Sequence, residues 1–311
     1  MASLKEIKSR IASVKNTLKI TSAMKMVASA KLHKAQAAIG NKLPYEQKLH
    51  HILSGLLQDD DLQKALHDEL GFGSREHPLV VLQDVSLDSM PSKGEVRRVA
   101  IVAFSSNSTL CGAFNANVVR QFNRTVAELK AGGYSAGDID VYAVGSKIAD
   151  AARKAGLEPK EDRSEMADRP DYDSAADLAA ELVDNFAAGV FSQVILLYNH
   201  FASTGSQPTI RENYLPLALH DYDDGPSAVD YILEPDPLSL VKSLLPKVLS
   251  LKMFAVLLDA NAAEHAARTV AMQVASDNAE NLIAELTLAY NKGRQQEITT
   301  EILDLAAGSM N

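Results

Sequence analysis

From Lys247 to Lys292 the chain reads KVLSLKMFAVLLDANAAEHAARTVAMQVASDNAENLIAELTLAYNK, without a single Gly or Pro. Those two residues are the strongest helix interrupters, so the stretch admits one helix of roughly 69 Å at 1.5 Å per residue. A seam runs through it at Leu251, Ala255, Leu258, Ala262, His265, Thr269, Met272, Ser276, Ala279, Ile283, Leu286 and Tyr290. Its spacings alternate strictly between four and three, the repeat that keeps one stripe turned toward a partner helix. Small residues in the middle of the stripe permit close approach. Upstream, Glu234-Pro235-Asp236-Pro237 sets the start, because proline suits the first turn of a helix, and Pro246 is a candidate kink. A lone helix of this length cannot bury its stripe, so a partner must come from elsewhere in the chain.

The opposite end supplies one. Residues 1–39 also lack Gly and Pro, allowing roughly 58 Å of helix. Leu4, Ile7, Ile11, Val14 and Leu18 form a heptad seam, which then changes phase to Ile20, Met24 and Val27 instead of Thr21, Lys25 and Ala28. Gly40 and Pro44 are the first break signals, with a less regular helix expected to about Gln58. Residues 1–50 carry ten cations against Glu6 and Glu46, a balance of +8 on a chain whose formal net charge is −9. A basic segment on an acidic chain points to an acidic partner or to a solvated helix face.

Between the two ends the periodicity changes. Val99–Phe104 is a continuous apolar run, as in a strand buried on both faces, and Ile139–Val144 and Gln193–Tyr198 are further strands. Helices are expected over Asn115–Lys130, over Ser146–Ala155 with a Ser146 cap, and from a Ser174/Asp177 capping box through Ala188. Alternating strands and helices imply a mostly parallel sheet. The expected fold is α/β plus a long helical coiled coil. Its N- and C-terminal helices pair antiparallel, and a three-layer Rossmann-like α/β domain is inserted between them. The segments are 1–58 (N-terminal helix), 59–96 (connector), 97–220 (α/β domain), 221–237 (linker) and 238–311 (C-terminal helix). Within the connector, Leu79–Val85 reads either as a short strand or as a segment lying along a helix. A two-helix rod leaves Ile298, Ile302, Leu303 and Leu305 outside its seam, which points to enclosure by other proteins.

Chemistry is hard to find. A length of 311 residues with 46% hydrophobic and 23% charged residues is ordinary for a two-domain globular chain. The single Cys, Cys111, excludes an intramolecular disulfide framework and a thiolate zinc cluster, and no recognisable Cys-His motif accompanies it. His50 and His51 are adjacent, hence about 100° apart on a helix, and His265 has no ligand at chelating spacing. There is no Walker motif. Gly132–Gly137 precedes a strand and Gly71–Ser74 sits in a connector, both the wrong context for phosphate; Asp221, Asp223 and Asp224 lack calcium-loop spacing. No cofactor is expected. No run of about 18 apolar residues is present, and the first residues have no signal-peptide core, so a cytoplasmic-type compartment is expected. Net acidity and 5% aromatics disfavour a nucleic-acid binder.

Several motifs, in order and at the correct ends, resemble the gamma subunits of F-type ATP synthases. They are Lys5-Glu6-Ile7-Lys8-Ser9-Arg10-Ile11 and Lys19–Ala28 near the start, with Glu264-His265-Ala266-Ala267-Arg268, Ala275–Ala279 and Leu286–Ile302 near the end. Leu110–Asn115, Ser206–Ile210 and Tyr231–Pro237 are further family-like pieces. The resemblance is weakest at about 59–96 and 157–190. Where the family often has Asp-Arg-Gly before Leu-Cys-Gly, this chain has Asn107-Ser108-Thr109, so a charge role for that loop does not carry over. No inserted cysteine pair is present, so thiol regulation is not expected.

The resemblance implies a non-catalytic central-stalk rotor, one copy per complex. Its partners would be the alpha and beta subunits of the catalytic ring, the epsilon subunit, and the membrane c ring. It implies contact roles for Met24 and Lys25 against an acidic helix-loop of beta. A catch between shaft and ring is implied around Arg268, Gln295 and Thr299, and a foot near epsilon at Tyr231 and Glu234. The absence of a transit peptide places such a chain at the cytoplasmic face of a bacterial inner membrane, held through other subunits. The alternative from another class is an α/β enzyme with helical oligomerisation extensions, its site near Ser105–Cys111.

Overall fold

The computed structural model describes residues 3–56, 80–81, 98–218, 234 and 236–308. In chain order the elements are α1 (Leu4–Leu56), β1 (Val80–Val81), β2 (Arg98–Phe104), α2 (Phe114–Ala131), β3 (Ile139–Val144), α3 (Ser146–Lys154), β4 (Pro159–Asp162), α4 (Ser164–Asp168), α5 (Tyr172–Ala187), β5 (Phe191–Asn199), β6 (Thr209–Leu215), β7 (Leu217–Ala218) and α6 (Pro237–Gly308). Compactness divides the chain into two units, Met1–Ala30 with Arg268–Asn311, and Lys31–Ala267. Helix α1 runs straight through the break signals at Gly40 and Pro44, and α6 runs through Pro246.

The first unit is an antiparallel helix pair. The hydroxyls of Thr21 and Ser276 lie 2.9 Å apart, and a Cβ built on Gly293 would stand 2.9 Å from Leu4 Cδ2. The step from 4 to 21 on α1 thus equals the step from 276 to 293 on α6, taken in reverse. Met272, Ser276 and Ala279 are buried and Ile283, Leu286 and Tyr290 half-buried, which is the stripe expected of α6. On α1 the stripe differs from expectation. Leu4, Ile7, Ile11, Val14 and Leu18 are half-buried, but the seam then keeps its phase through buried Thr21, half-buried Lys25 and buried Ala28. Ile20 and Val27, assigned to a shifted seam, are 60% and 59% exposed. Helices in close contact favour small residues over the most hydrophobic ones, and the Thr21–Ser276 contact satisfies two hydroxyls at once.

The second unit is built on a five-stranded sheet in the order β4-β3-β2-β5-β6, parallel except for β6. Residues 99–104 of β2 are all buried, so successive side chains feed two cores. Val99, Ile101 and Ala103 meet Val118, Phe122 and Val126 of α2 and Ile148 and Ala152 of α3. Ala100, Val102 and Phe104 face Leu178, Leu182 and Phe186 of α5 with Leu53 of α1 and Val248, Met253 and Leu257 of α6. Each large side chain so buried contributes about 1.5–3 kcal/mol relative to exposure. Between Val248 and Ala267 only three positions of α6 escape full burial, so this part of the helix is buried on every face rather than along a stripe, with Lys252, Asn261, Glu264 and His265 among its buried residues. Val80–Val81 pairs in parallel with Leu217–Ala218, the strand alternative for that short piece. The rest of the connector and Asp221, Asp223 and Asp224 lie outside the described residues.

Two helix starts differ from expectation. Helix α5 begins one turn early, at Tyr172, because the Asp171 carboxylate accepts from Ser174 N–H at 3.1 Å and the Ser174 hydroxyl at 3.2 Å; Ser174 is donor, not cap. Ser146 is the first residue of α3, and its N–H is capped from a distant loop, by Asn107 Oδ1 at 2.9 Å.

Candidate functional site

In open α/β sheets ligands sit beyond the carboxyl ends of the strands, where successive crossovers diverge. Here that point lies between β2 and β5, since β3 and β4 extend the sheet on one side and β6 on the other. The chain fills it with itself. The first amides of α3, the groups that would grip a phosphate, donate to Asn107 Oδ1, to Ser106 O at 3.4 Å and to Ser105 Oγ at 2.9 Å. Gly145 makes this approach possible. Its φ is +111°, and a Cβ there would meet Ser105 O at 2.3 Å. Asn107 also donates through Nδ2 to Ser164 O at 2.8 Å and Asp168 Oδ2 at 2.7 Å, so one side chain joins the β2 loop to α3 and α4.

The β5 side is closed too. Buried Asn199 donates to Phe114 O at 3.0 Å and accepts from Thr209 Oγ1 at 2.6 Å. Cys111 and Phe114 pack on Ala263 and Ala267 of α6, with Phe201 beside them. The thiol is buried, with Asn115 Nδ2 at 3.2 Å and Ser106 Oγ at 3.7 Å. A nucleophilic thiol needs access and a base, and these are packing neighbours. His200 Nδ1 lies 2.7 Å from Asp259 Oδ2, and Phe201 N–H donates to Asp259 Oδ1 at 2.9 Å, tying the end of β5 to α6. Among the described residues no three His, Cys, Asp or Glu gather at metal-binding range.

The helix pair is the opposite, open where the α/β lobe is closed. Along α1, Ile20, Met26 and Val27 are exposed, and along α6 so are Val274, Leu282, Leu288, Ile298, Ile302, Leu303 and Leu305, the last at 74%. Lysines 5, 8, 15 and 19 are exposed on α1 as well. Apolar side chains repeated along a helix pair and interleaved with charges mark a protein-contact surface. Near its end, a groove of about 690 Å³ lies between Leu4 and Ile7 of α1 and Ala289, Gly293, Gln296 and Thr300 of α6.

Of the residues singled out from sequence, Met24, Lys25 and Arg268 are half-buried in the helix pair, Gln295 and Thr299 are exposed on α6, and Glu234 is exposed in the other unit. Tyr231 lies outside the described residues. Arg268 and Gln295 lie on one continuous helix, 27 residues or roughly 40 Å apart, so Arg268 is not brought together with Gln295 and Thr299. The guanidinium beside Gln295 is that of Arg294, exposed, which sequence reasoning missed although it adjoins the motif. Thr299 donates its hydroxyl to the Gln295 backbone oxygen at 2.8 Å. Apolar character alone assigns Ile20 and Val27 to a seam, and both are exposed.

A family model described as ATP synthase matches residues 3–310. The ATP synthase gamma chain of Phocaeicola vulgatus is 50% identical over 313 residues, covering all of both chains. That of Bacteroides thetaiotaomicron is 47% identical, also over the whole of both. Among solved structures, a chain of the Tetrahymena thermophila mitochondrial ATP synthase central stalk and c-ring aligns with a TM-score of 0.53 at 22% identity, covering 83% of this chain and 99% of that one. One from the Euglena gracilis mitochondrial ATP synthase in rotational state 3 aligns at 0.57 and 18%, covering 99% and 93%. These two carry the fold, and the sequence matches carry the family. With half its residues identical along the whole length of such relatives, this chain belongs to the ATP synthase gamma-chain family.

Proposed function

We propose that this chain is the non-catalytic central shaft of an F-type ATP synthase, one copy inside a ring of three alpha and three beta subunits. Its α/β lobe meets epsilon and the membrane c ring at the cytoplasmic face of a bacterial inner membrane. Proton-driven turning of the ring carries the shaft with it, and the shaft drives each beta site in turn through open and closed states. A rotor does this only if it binds the beta conformations unequally, since coupling is a difference in contact free energy between states. The working segments on this reading are 1–58 and 238–311 as shaft, 97–220 as lobe, and 59–96 and 221–237 as connections.

The observation that carries the reading is the antiparallel α1–α6 pair with apolar side chains left bare along both helices, together with the filling of the α/β lobe's ligand crevice by its own chain. Met24 and Lys25 are assigned to an acidic element of beta, and the +8 balance of residues 1–50 suits that partner. Arg268 forms one contact with the ring; Gln295 and Thr299, with Arg294 beside them, form a second about 40 Å away. Tyr231 and Glu234 belong to the epsilon-facing foot. Among the described residues no helix is long and apolar enough to cross a membrane, so attachment goes through other subunits.

Reconstitution tests this. Mixed with purified alpha and beta subunits, the chain is expected in a complex with one copy per three of each, with ATP hydrolysis only when all three are present. Failure to associate, or turnover by the chain alone, sinks the proposal.

A further inference from the structure

On the face of the sheet covered by α2 and α3, a groove of about 510 Å³ runs between those two helices. Both helices follow neighbouring parallel strands, so they lie side by side and point the same way. Ala116 and Val119 of α2 and Ala151 and Ala155 of α3 line its floor. Three of these four side chains are single methyl groups, which lets another backbone come close. Lys147 and Lys154 stand on the α3 wall, and among the described residues neither takes part in an ion pair. The acid on that wall, Asp150, is already held by Arg153 at 3.3 Å. The groove is therefore cationic on a chain whose net charge is −9.

We propose that this groove docks an acidic amphipathic helix of a partner protein. The spacing of the lysines decides the class of ligand. They lie on one face of α3, seven residues and roughly 10 Å apart along its axis, the spacing of two carboxylates a heptad apart on a docked helix. Backbone donors for a small anion are not available at this end of α3, because its first amides are taken by Asn107, Ser106 and Ser105. Apolar or small side chains of the incoming helix cover the alanine floor, and its carboxylates meet Lys147 and Lys154 at the rim. Asn123, exposed on the α2 wall, offers an amide to the same helix. This surface belongs to the lobe and is independent of the shaft reading, so the two stand or fall separately.

The test is a titration of the full-length chain with a stapled, Ala-rich helical peptide of about fourteen residues carrying two glutamates seven residues apart. A matched peptide with glutamine for glutamate is the control. Binding read by NMR shift perturbation is expected to map to α2 and α3, to weaken with added salt, and to fall about tenfold for the glutamine peptide. The double variant Lys147→Gln/Lys154→Gln should lose a similar factor, Lys147→Arg/Lys154→Arg should retain binding, and Ala116→Phe, which blocks the floor without touching the charges, should abolish it. Equal binding of both peptides, shifts mapping elsewhere, or no binding overturns the proposal. So does binding of pyrophosphate that depends on both lysines while the peptide leaves the chain unchanged.

Discussion

Asn107 stands where the resembled family often carries an acidic residue in its Asp-Arg-Gly turn, and its four hydrogen bonds explain what an uncharged side chain does there. It accepts from Ser146 N–H, and its backbone oxygen accepts from the Ser146 hydroxyl at 3.0 Å, while its amide reaches α4. Asn107→Ala removes the three side-chain bonds, strands their partners, and is expected to cost about 2 kcal/mol in a chemical-denaturation measurement. A variant within a few tenths of a kcal/mol of the parent would refute the role. Glu128 makes a second residue-scale case. Its side-chain bond to Arg211, then that to Arg124, hold its carboxyl below the usual range against the opposing effect of desolvation. A carboxyl depressed in the folded state stabilises the fold above its unfolded pKa, near 4.3, and loses that contribution as pH falls through the lower folded value. Glu128→Gln is therefore expected to be less stable than the parent at neutral pH, with the gap closing below about pH 4. The side chain is 44% exposed, so solvent screening keeps the effect small.

At the scale of the element, the phase of the α1 seam separates neighbouring residues sharply. Ala28 is 2% exposed and Val27 is 59% exposed. Ala28→Glu puts an unpaired charge into the helix pair and is expected to lower its melting temperature by several degrees. Val27→Glu should leave melting unchanged and weaken assembly with alpha and beta subunits instead. If both variants melt alike, the continuous seam through Thr21, Lys25 and Ala28 is the wrong one. The α6 seam was legible from its four-three spacing because its positions beyond Thr269 face one partner only. On α1 the spacing was legible to Leu18 and then misread. Hydrophobicity ranks Ile20 above Thr21, whereas a close helix contact selects for size and for a hydroxyl that can meet Ser276.

For the whole molecule, the division of labour between a closed lobe and an open helix pair sets what variants should do. Removing residues 295–311 takes away Gln295, Thr299 and the exposed Ile298, Ile302 and Leu305 while leaving the second unit's core intact. The truncated chain is expected to fold, yet to support ATP-driven proton pumping less well in the reconstituted complex. Lys25→Ala should reduce coupling mildly, because one half-exposed charge contributes about 1 kcal/mol or less. Pumping indistinguishable from the parent in both variants would remove these contact assignments. The α/β lobe was readable as three layers from its apolar runs, and so was its lack of a phosphate motif. What fills the strand-end crevice was not readable, since the contacts of Asn107 with Ser146, of Asn199 with Phe114, and of Ala263 and Ala267 with Cys111 are made only through the fold.

By itself the sequence determined the long helices, the three central strands and the family, while the outer strands β4 and β6 were not among the expected elements. Long stretches without Gly or Pro, a stripe repeating at four and three, and apolar runs between helices are local properties, written in the order of residues and in backbone propensity. Motifs at both ends made the resemblance specific. Tertiary structure alone decided which side chains of α1 face inward and that the crevice of the lobe is closed from within. Burial is a property of pairs of surfaces. A sequence records which residues are able to be buried, and only the approach of another element selects the ones that are.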